Sequence, residues 1–259
     1  MQVIAPVLFG ALLTPGFALA DAAPPSPRCD VPMELTRLAN PLTHVARKLA
    51  GGDPITIVAI GSSSTAGAGA SSPDRSYPAR LQAELTAQFP RHKITVLNRG
   101  VNGEEINDML RRFNTAVVAE KPDLVLWQFG TNSLIRDNAT ADYAASIHAG
   151  IDTIKMIGAD VILVDPQFAP KVIVKPGAEA IVELIGATAK AESVDLFQRF
   201  ALMRRWHDVD HLTFEAIVSP DGLHMNDWSY GCLAKGLAES IAEAATRPVA
   251  SVSAAVWMP

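Results

Sequence analysis

The sequence has few cysteines, few charged residues and no excess of basic ones. Of its 259 residues two are cysteine and 19% are charged, and the 22 Lys and Arg are outnumbered by 27 Asp and Glu. Two thiols exclude a disulfide-rich scaffold and a four-thiolate zinc site. A pI near 5.7 gives no electrostatic footprint for nucleic acid, and a mean hydropathy of +0.18 excludes a disordered chain. What is left is a globular enzyme or binding protein.

Charge is also missing from the start of the chain, since residues 1–20 contain no Asp, Glu, Lys or Arg. An apolar run at 3–13, followed by small residues up to Ala20, is typical of a signal peptide with cleavage near Ala20. The segment lacks the usual basic start and is too short to span a bilayer. The alternative is a buried N-terminal helix, which Pro6 and Pro15 disfavour. We therefore predict an exported protein, periplasmic or secreted, and no stable membrane insertion.

The two cysteines, Cys29 and Cys232, lie near opposite ends of the remaining chain. In an oxidising compartment they can form one disulfide that ties an N-terminal arm to the C-terminal region. The alternative is two separate thiols, with Cys232 acting as a small apolar residue of a helix.

Hydrophobic patterning predicts five short strands alternating with helices. The predicted strands are 55–60, 94–97, 124–129, 160–164 and 194–197. Helices are predicted between them, with a first helix at 34–50 and another at 104–118. This alternation predicts an α/β fold with a mostly parallel sheet covered on both faces. We predict an arm and helix over 21–54, one domain over 55–247 and a tail over 248–259.

In a parallel α/β sheet the active site lies beyond the carboxyl ends of the strands, so the motifs found there carry the chemistry. The first strand is followed by Gly-Ser-Ser-Ser at 61–64, and the second by Asn-Arg-Gly-Val-Asn-Gly-Glu at 98–104. The third is followed by Gly-Thr-Asn at 130–132, and Asp-Gly-Leu-His stands at 221–224. Each of these motifs alone is common in turns.

Together and in this order, the four motifs resemble the SGNH hydrolases, also called GDSL esterases. The resemblance identifies Ser63 as the nucleophile and His224 as the catalytic base, with Asp221 as its acidic partner. It also identifies Ser63, Gly103 and Asn132 as the donors of the oxyanion hole. The fold it implies is a flavodoxin-like three-layer α/β/α sandwich with about five strands. No cofactor and no metal are implied.

The sequence departs from the family at its first motif, where Gly-Asp-Ser-Leu is replaced by Gly61-Ser62-Ser63-Ser64. The change removes no catalytic group, but it places a serine on either side of Ser63. The absence of Gly-x-Ser-x-Gly argues against an α/β-hydrolase elbow.

The resemblance implies an ester hydrolysis in which His224 takes the proton of the Ser63 hydroxyl and Asp221 fixes the histidine tautomer. Each site residue also has a structural interpretation. Ser63 suits a helix N-cap, Asn132 a turn or cap, Gly103 a tight turn and His224 a loop histidine paired with Asp221.

Two other patterns could be mistaken for sites. His207 and His211 stand four residues apart with acidic residues between them, which resembles metal-ligand spacing, but we interpret the segment as a solvated helix end. Gly67-Ala68-Gly69 lacks the rest of a dinucleotide motif. Asn138 begins a glycosylation sequon, which matters only in a eukaryotic secretory pathway.

For the substrate, acidity, export and the lack of an apolar lid favour short acyl groups on carbohydrate. We predict that the loop 165–176 lines the acyl or leaving-group pocket, with Phe168 and Val172 as its apolar residues. The alternatives are a lysophospholipase or thioesterase for longer acyl chains and a non-catalytic carbohydrate-binding module. The partner is thus a small-molecule or polysaccharide ester and not nucleic acid; the oligomeric state stays open.

Overall fold

A parallel sheet of five strands organises the fold. The structure is a computed structural model that describes residues 27–138 and 142–248. Its strands are β1 (Ile55–Gly61), β2 (Ile94–Gly100), β3 (Leu124–Gln128), β4 (Asp160–Val164) and β5 (Asp195–Phe197). The predicted signal peptide lies outside the described residues, as does the predicted tail from residue 249 onward.

The strand order is β2-β1-β3-β4-β5 and every pairing is parallel. This is the flavodoxin-like order, in which the chain reverses direction across the sheet beside β1. Every residue of β3 is buried, as expected for a central strand covered on both faces. The predicted α/β class and the number of strands are confirmed.

Helices cover the sheet in two groups. In chain order they are α1 (Met33–Thr36), α2 (Thr43–Gly51), α3 (Ser63–Ala66), α4 (Tyr77–Gln88), α5 (Ile106–Arg111), α6 (Phe113–Ala116), α7 (Thr131–Ile135), α8 (Tyr143–Met156), α9 (Pro170–Ile173), α10 (Ala178–Ala191), α11 (Arg199–Asp208), α12 (Phe214–Ile217) and α13 (Asp227–Thr246). Helix α13 contacts α2 and α4, and α8 contacts α5 and α10, so the two groups supply the outer layers.

The predicted helix 34–50 is interrupted. Helix α1 ends at Thr36 and α2 begins only at Thr43. Pro41 disfavours helical geometry in the residue before it. In addition, the Asp195 carboxylate accepts hydrogen bonds from the backbone N–H groups of Ala39 and Asn40, at 2.7 and 3.1 Å. A side chain 155 residues away therefore satisfies backbone donors that a helix would have used.

The predicted helix 104–118 is interrupted as well, at Arg112. Glu105 is the N-cap of α5 and forms a reciprocal capping box with Asp108. Arg112 leaves helical geometry, and its guanidinium binds the Glu104 carboxylate and the Arg99 carbonyl oxygen, at 2.5 and 2.8 Å. The acidic residues at 104–105 thus anchor the loop after β2 instead of extending the helix.

The N-terminal arm lies against α13 and α11. A disulfide joins Cys29 to Cys232, whose Cα atoms are 5.5 Å apart. The Trp228 indole N–H donates to the carbonyl oxygen of Pro27, and the Trp206 indole N–H donates to that of Asp30. Three separate contacts therefore hold the arm in place. Within the described residues no helix is both long enough and apolar enough to cross a membrane.

Candidate active site

The turn between β1 and α3 carries three consecutive serines that differ in exposure. Ser62 and Ser64 are buried, with 3% and 2% of their surface exposed, whereas Ser63 is partly exposed. The Ser62 backbone N–H and hydroxyl both donate to the Gln128 side-chain oxygen, at 3.1 and 3.2 Å. Ser63 begins the short helix α3, and its hydroxyl oxygen lies 2.8 Å from Nε2 of His224.

Asp221 and His224 lie on one tight turn that leads into α13. Nδ1 of His224 is 2.5 Å from an Asp221 carboxylate oxygen. The other Asp221 oxygen accepts the Ser219 hydroxyl and the backbone N–H groups of Leu223 and His224. The turn therefore presents acid and histidine in series behind the Ser63 hydroxyl.

The same hydrogen bonds decide the charge of Asp221. Partial burial pushes the pKa of this carboxyl up, but donation from the His224 ring, two backbone N–H groups and Ser219 outweighs it and holds the pKa well below its usual range. Asp221 is therefore an anion at neutral pH, able to accept a hydrogen bond from Nδ1–H of His224.

The loop after β2 lies beside the serine turn that follows β1, because β1 and β2 are in register up to Gly61 and Gly100. The Val101 N–H donates to the Gly61 carbonyl oxygen at 3.0 Å. Gly103 has φ of +79°, a left-handed conformation that favours glycine. Its carbonyl oxygen accepts from Arg136, while its N–H has no acceptor among the described residues.

Asn132 lies in α7, directly after β3, the strand on the other side of β1. One amide N–H of Asn132 donates to the Glu104 carbonyl oxygen at 2.8 Å, and the same nitrogen carries a second N–H. The Glu105 carboxylate accepts from Arg136 at 2.8 Å and from Asn138 at 3.1 Å. Helix α7 and the residues after it therefore hold the loop that contains Gly103.

Phe168 and Val172, the predicted apolar residues of the pocket, both pack inward. Val172 is completely buried and Phe168 is 9% exposed. Val172 turns inward on helix α9, and Phe168 packs against the rings of Phe200 and Phe214 at centroid distances of 5.3 and 5.9 Å. Pro170, from the same segment, lines a cavity of about 330 Å³ instead. The assignment of these two side chains to the acyl or leaving-group pocket stays a prediction.

Sequence reasoning missed the residues that support the site from behind. Gln128 accepts from Ser62 and Thr65, and Tyr230 donates its hydroxyl to the Ala68 carbonyl oxygen at 2.7 Å. Ser219 binds Asp221, as described above. Among these residues, only Gln128 could have been recognised from the sequence. It is the one polar residue of the run Leu-Val-Leu-Trp-Gln and stands at the carboxyl end of its strand.

The remaining patterns are spread over the surface. His207 stacks on Phe214 and hydrogen-bonds Asp208, where α11 ends, and His211 follows the helix. Asn138 is described, but the rest of its sequon lies outside the described residues. Within the described part of the chain, one surface group of three potential metal ligands comes together, formed by His148, Asp152 and Glu192.

Most of the chain matches the model of a known protein family. A model of the Non-GDSL lipase-like family matches residues 28–247. An acetylxylan esterase of Geobacillus stearothermophilus is 35% identical over 60 residues, which cover 23% of this chain and 27% of that protein. The match therefore spans about a quarter of that relative.

Solved structures share the fold at low identity. A two-domain esterase active on acetylated mannans superposes with a TM-score of 0.71 at 20% identity, over 84% of this chain and 58% of that one. An acetyl xylan esterase from Geobacillus stearothermophilus gives 0.61 at 20% identity, over 72% and 94%. A protein named TesA gives 0.62 at 23% identity, over 73% and 99%.

Proposed function

Because this chain belongs to the Non-GDSL lipase-like family, we propose that it is a serine esterase that hydrolyses short acyl esters, above all acetyl esters of carbohydrates. The observation that carries the proposal is the continuous chain of hydrogen bonds from Ser63 through His224 to Asp221, with distances of 2.8 and 2.5 Å. The named activities of the acetylxylan esterase and of the esterase active on acetylated mannans support the substrate class.

The reaction uses the three side chains in series. Nε2 of His224 takes the proton of the Ser63 hydroxyl as its oxygen attacks the ester carbonyl carbon, and the anionic Asp221 stabilises the imidazolium that forms. When the tetrahedral intermediate collapses, His224 gives that proton to the departing alcohol. A water molecule, deprotonated by His224, then attacks the acyl-Ser63 ester, and His224 returns that proton to the Ser63 oxygen as the carboxylic acid leaves.

The negative oxygen of the intermediate needs fixed donors. The backbone N–H groups of Ser63 and Gly103, which have no acceptor among the described residues, supply two of them. The Asn132 amide supplies a third through the N–H that does not bind Glu104. Arg136 holds the Gly103 carbonyl oxygen and so fixes the peptide group that follows the Gly103 N–H in the chain.

The three serines provide the sharpest test. We expect Ser63→Ala to lower kcat on 4-nitrophenyl acetate by about 10⁴-fold or more. Ser62→Ala and Ser64→Ala keep the nucleophile, and we expect them to retain most of the activity. They are matched controls, because each removes one hydroxyl from the same turn. Full activity in Ser63→Ala would overturn the mechanism.

Acyl-chain length separates the proposed function from a lysophospholipase or thioesterase. We expect kcat/KM for 4-nitrophenyl acetate to exceed that for the dodecanoate. We also expect acetic acid to be released from acetylated xylan or mannan fragments. A strong preference for the dodecanoate would favour the long-chain alternative. Saccharide binding without turnover of any ester would favour a carbohydrate-binding module.

Export belongs to the same proposal. The disulfide between Cys29 and Cys232 supports an oxidising compartment, where such bonds persist. We expect the protein recovered outside the cytoplasm to begin near Asp21, as measured by intact mass and N-terminal sequencing. Full-length protein confined to the cytoplasm would contradict export.

A further inference from the structure

A cavity of about 330 Å³ lies beside the turn that carries Asp221 and His224. Its lining includes Ser219 and Gly222, which stand on either side of Asp221 in the sequence. The Ser219 N–H donates to the His224 carbonyl oxygen at 2.7 Å. Gly69, also in the lining, packs so closely on the histidine that an added Cβ would lie 2.8 Å from Cβ of His224. The cavity is therefore next to the catalytic turn.

The chemistry of the reaction says which part of the substrate belongs there. In the proposed mechanism His224 returns its proton to the oxygen of the leaving alcohol. That oxygen must lie within reach of Nε2, so the alcohol leaves on the histidine side of Ser63. The oxyanion donors come from the neighbouring segments after β2 and β3. A cavity bounded by the turn that carries His224 is thus suited to the leaving group.

Phe214 gives one wall of the cavity an aromatic character. Its ring is stacked on His207 with a centroid distance of 4.2 Å, and on Phe168 at 5.9 Å. These contacts hold the ring in place, and Phe214 lines the cavity. Aromatic faces carry partial negative charge and attract the partly positive C–H bonds of an apolar ligand surface. A sugar ring offers such C–H bonds on its faces.

Glu215, the next residue, adds one negative charge to the lining. Its backbone N–H and the Thr213 hydroxyl hold the pKa of this exposed carboxyl below its usual value, so it is ionised at neutral pH. It makes no ion pair within the described residues. A free carboxylate accepts hydrogen bonds from ligand hydroxyls and repels anionic groups.

We propose that this cavity binds the leaving group of the ester as a neutral sugar ring, with Phe214 against a face of the ring and Glu215 accepting its hydroxyls. The assignment rests on the proposed esterase function and adds a specificity to it. An aromatic wall with one free carboxylate suits a polyol better than a phosphate-bearing alcohol or thiol. The volume lies at the lower end of the ~300–1,000 Å³ of small-molecule sites.

Binding of the product sugar tests the site without relying on turnover. In an NMR titration of the Ser63→Ala protein with xylotriose or mannotriose, we expect saturable shifts. We expect Phe214→Leu, added to Ser63→Ala, to weaken the affinity about two- to tenfold, since an aromatic contact of this kind is worth about that factor. Absence of saturable binding of both sugars would overturn the assignment.

Kinetics with the Ser63-containing enzyme test the same site in the reaction. The readout is the ratio of kcat/KM for an acetylated xyloside to kcat/KM for 4-nitrophenyl acetate. We expect the ratio to fall about fivefold in Phe214→Leu and in Glu215→Gln. The matched controls are Phe89→Leu, at the end of α4, and Glu183→Gln, on the exposed side of α10, which leave the ratio unchanged.

Discrimination against an anionic substrate is the third test of the site. We expect Glu215→Gln to raise kcat/KM for the anionic ester 4-acetoxybenzoate at low salt, and the gain to shrink as salt is added. Equal losses on sugar and aryl esters in both variants, or no change on either, would overturn the assignment. Neither result would affect the assignment of Ser63 as the nucleophile, which is overturned only if Ser63→Ala keeps its esterase activity.

Discussion

At the scale of single residues, Gln128 supports the turn that carries Ser63. Its side-chain oxygen, completely buried, accepts from the Ser62 N–H, the Ser62 hydroxyl and the Thr65 hydroxyl at 3.1 to 3.2 Å. Thr65 in turn contacts the Tyr77 hydroxyl at 3.1 Å. We propose Gln128 as a positioning residue for Ser63, because the three hydrogen bonds that its side-chain oxygen accepts all come from the turn that carries Ser63.

Replacement of Gln128 by Met keeps its length and removes the acceptor. We expect kcat per titrated active site to fall roughly 10- to 100-fold, because small misplacement of a nucleophile is costly, while KM changes little. The measurement is burst titration followed by steady-state kinetics. Thr65→Val removes one of the three donors. The positioning role is supported if the losses of kcat in Thr65→Val and Gln128→Met do not add up in the double variant. An unchanged kcat per site would contradict the positioning role.

Asp165 makes the stability of the fold depend on pH. Burial raises the pKa of this carboxyl to about 7, against hydrogen bonds from Phe200 and the charge of Arg199. The folded protein therefore holds a proton that the unfolded chain loses at lower pH. This contribution destabilises the fold progressively as pH rises from the unfolded value toward about 7, and it is constant above that.

Asp165→Asn removes this titration. We expect the unfolding free energy of the variant relative to the unsubstituted protein to rise by on the order of 2 kcal/mol between about pH 5 and about pH 8. Urea denaturation at both pH values measures the difference. Asp53→Asn is the control, because Asp53 is exposed and its replacement removes a solvated carboxylate. A difference that does not change with pH would show that Asp165 is ionised in the fold.

Single residues also show what sequence reasoning could reach. The motifs predicted that Ser63, Asp221 and His224 come together, because they combine reactive residue types with turns at the edge of the sheet. The burial of Phe168 and Val172 was not predicted, because burial of an apolar side chain in a loop depends on the partners it meets. Gln128 was missed because its role depends on the direction of its side chain, which spacing along one strand does not reveal.

At the scale of elements, strands were more predictable than helices. The predicted strand 160–164 has the bounds of β4, and the other four differ by at most three residues at an end. Buried strands are recognised by composition alone. Two predicted helices, 34–50 and 104–118, are interrupted in the structure. The predictions were wrong because Asp195 and Arg112 bind backbone groups that come near them only in the folded chain.

Close packing of α8 on β3 gives a test at this scale. Gly150 of α8 lies so near Trp127 of β3 that a Cβ atom would overlap its ring, whereas a Cβ at Gly186 of α10 would meet Leu196 at an ordinary 3.6 Å. We expect Gly150→Ala to destabilise by about 1–3 kcal/mol despite the better helix propensity of alanine. Gly186→Ala, the matched control, should stabilise by up to about 1 kcal/mol. Chemical denaturation measures both, and equal effects would contradict the close packing.

At the scale of the whole molecule, the ends of the described chain are fastened together. The disulfide spans 203 residues, and the hydrogen bonds of Trp228 and Trp206 hold the arm on either side of it. Helix α13, which carries Cys232, begins three residues after His224. The arm thus braces the helix that follows the catalytic turn.

Loss of the disulfide should lower stability more than activity. In Cys29→Ser/Cys232→Ser we expect the unfolding midpoint to fall by roughly 5–15 °C, because the bond restricts a long loop of the unfolded chain. Calorimetry with and without reductant measures it. Reductant should lower the midpoint of the unsubstituted protein but leave that of the double variant unchanged. Equal midpoints in all four conditions would mean that the bond adds no stability.

The long separation of the two cysteines also constrains how the chain matures. Cys29 leaves the ribosome, and would enter any oxidising compartment, some 203 residues ahead of its partner. Until α13 arrives it has no partner within its own chain, since the sequence has no third cysteine. A wrong pairing of Cys29 therefore always joins it to another molecule, such as a second copy of this protein, and never produces a scrambled monomer.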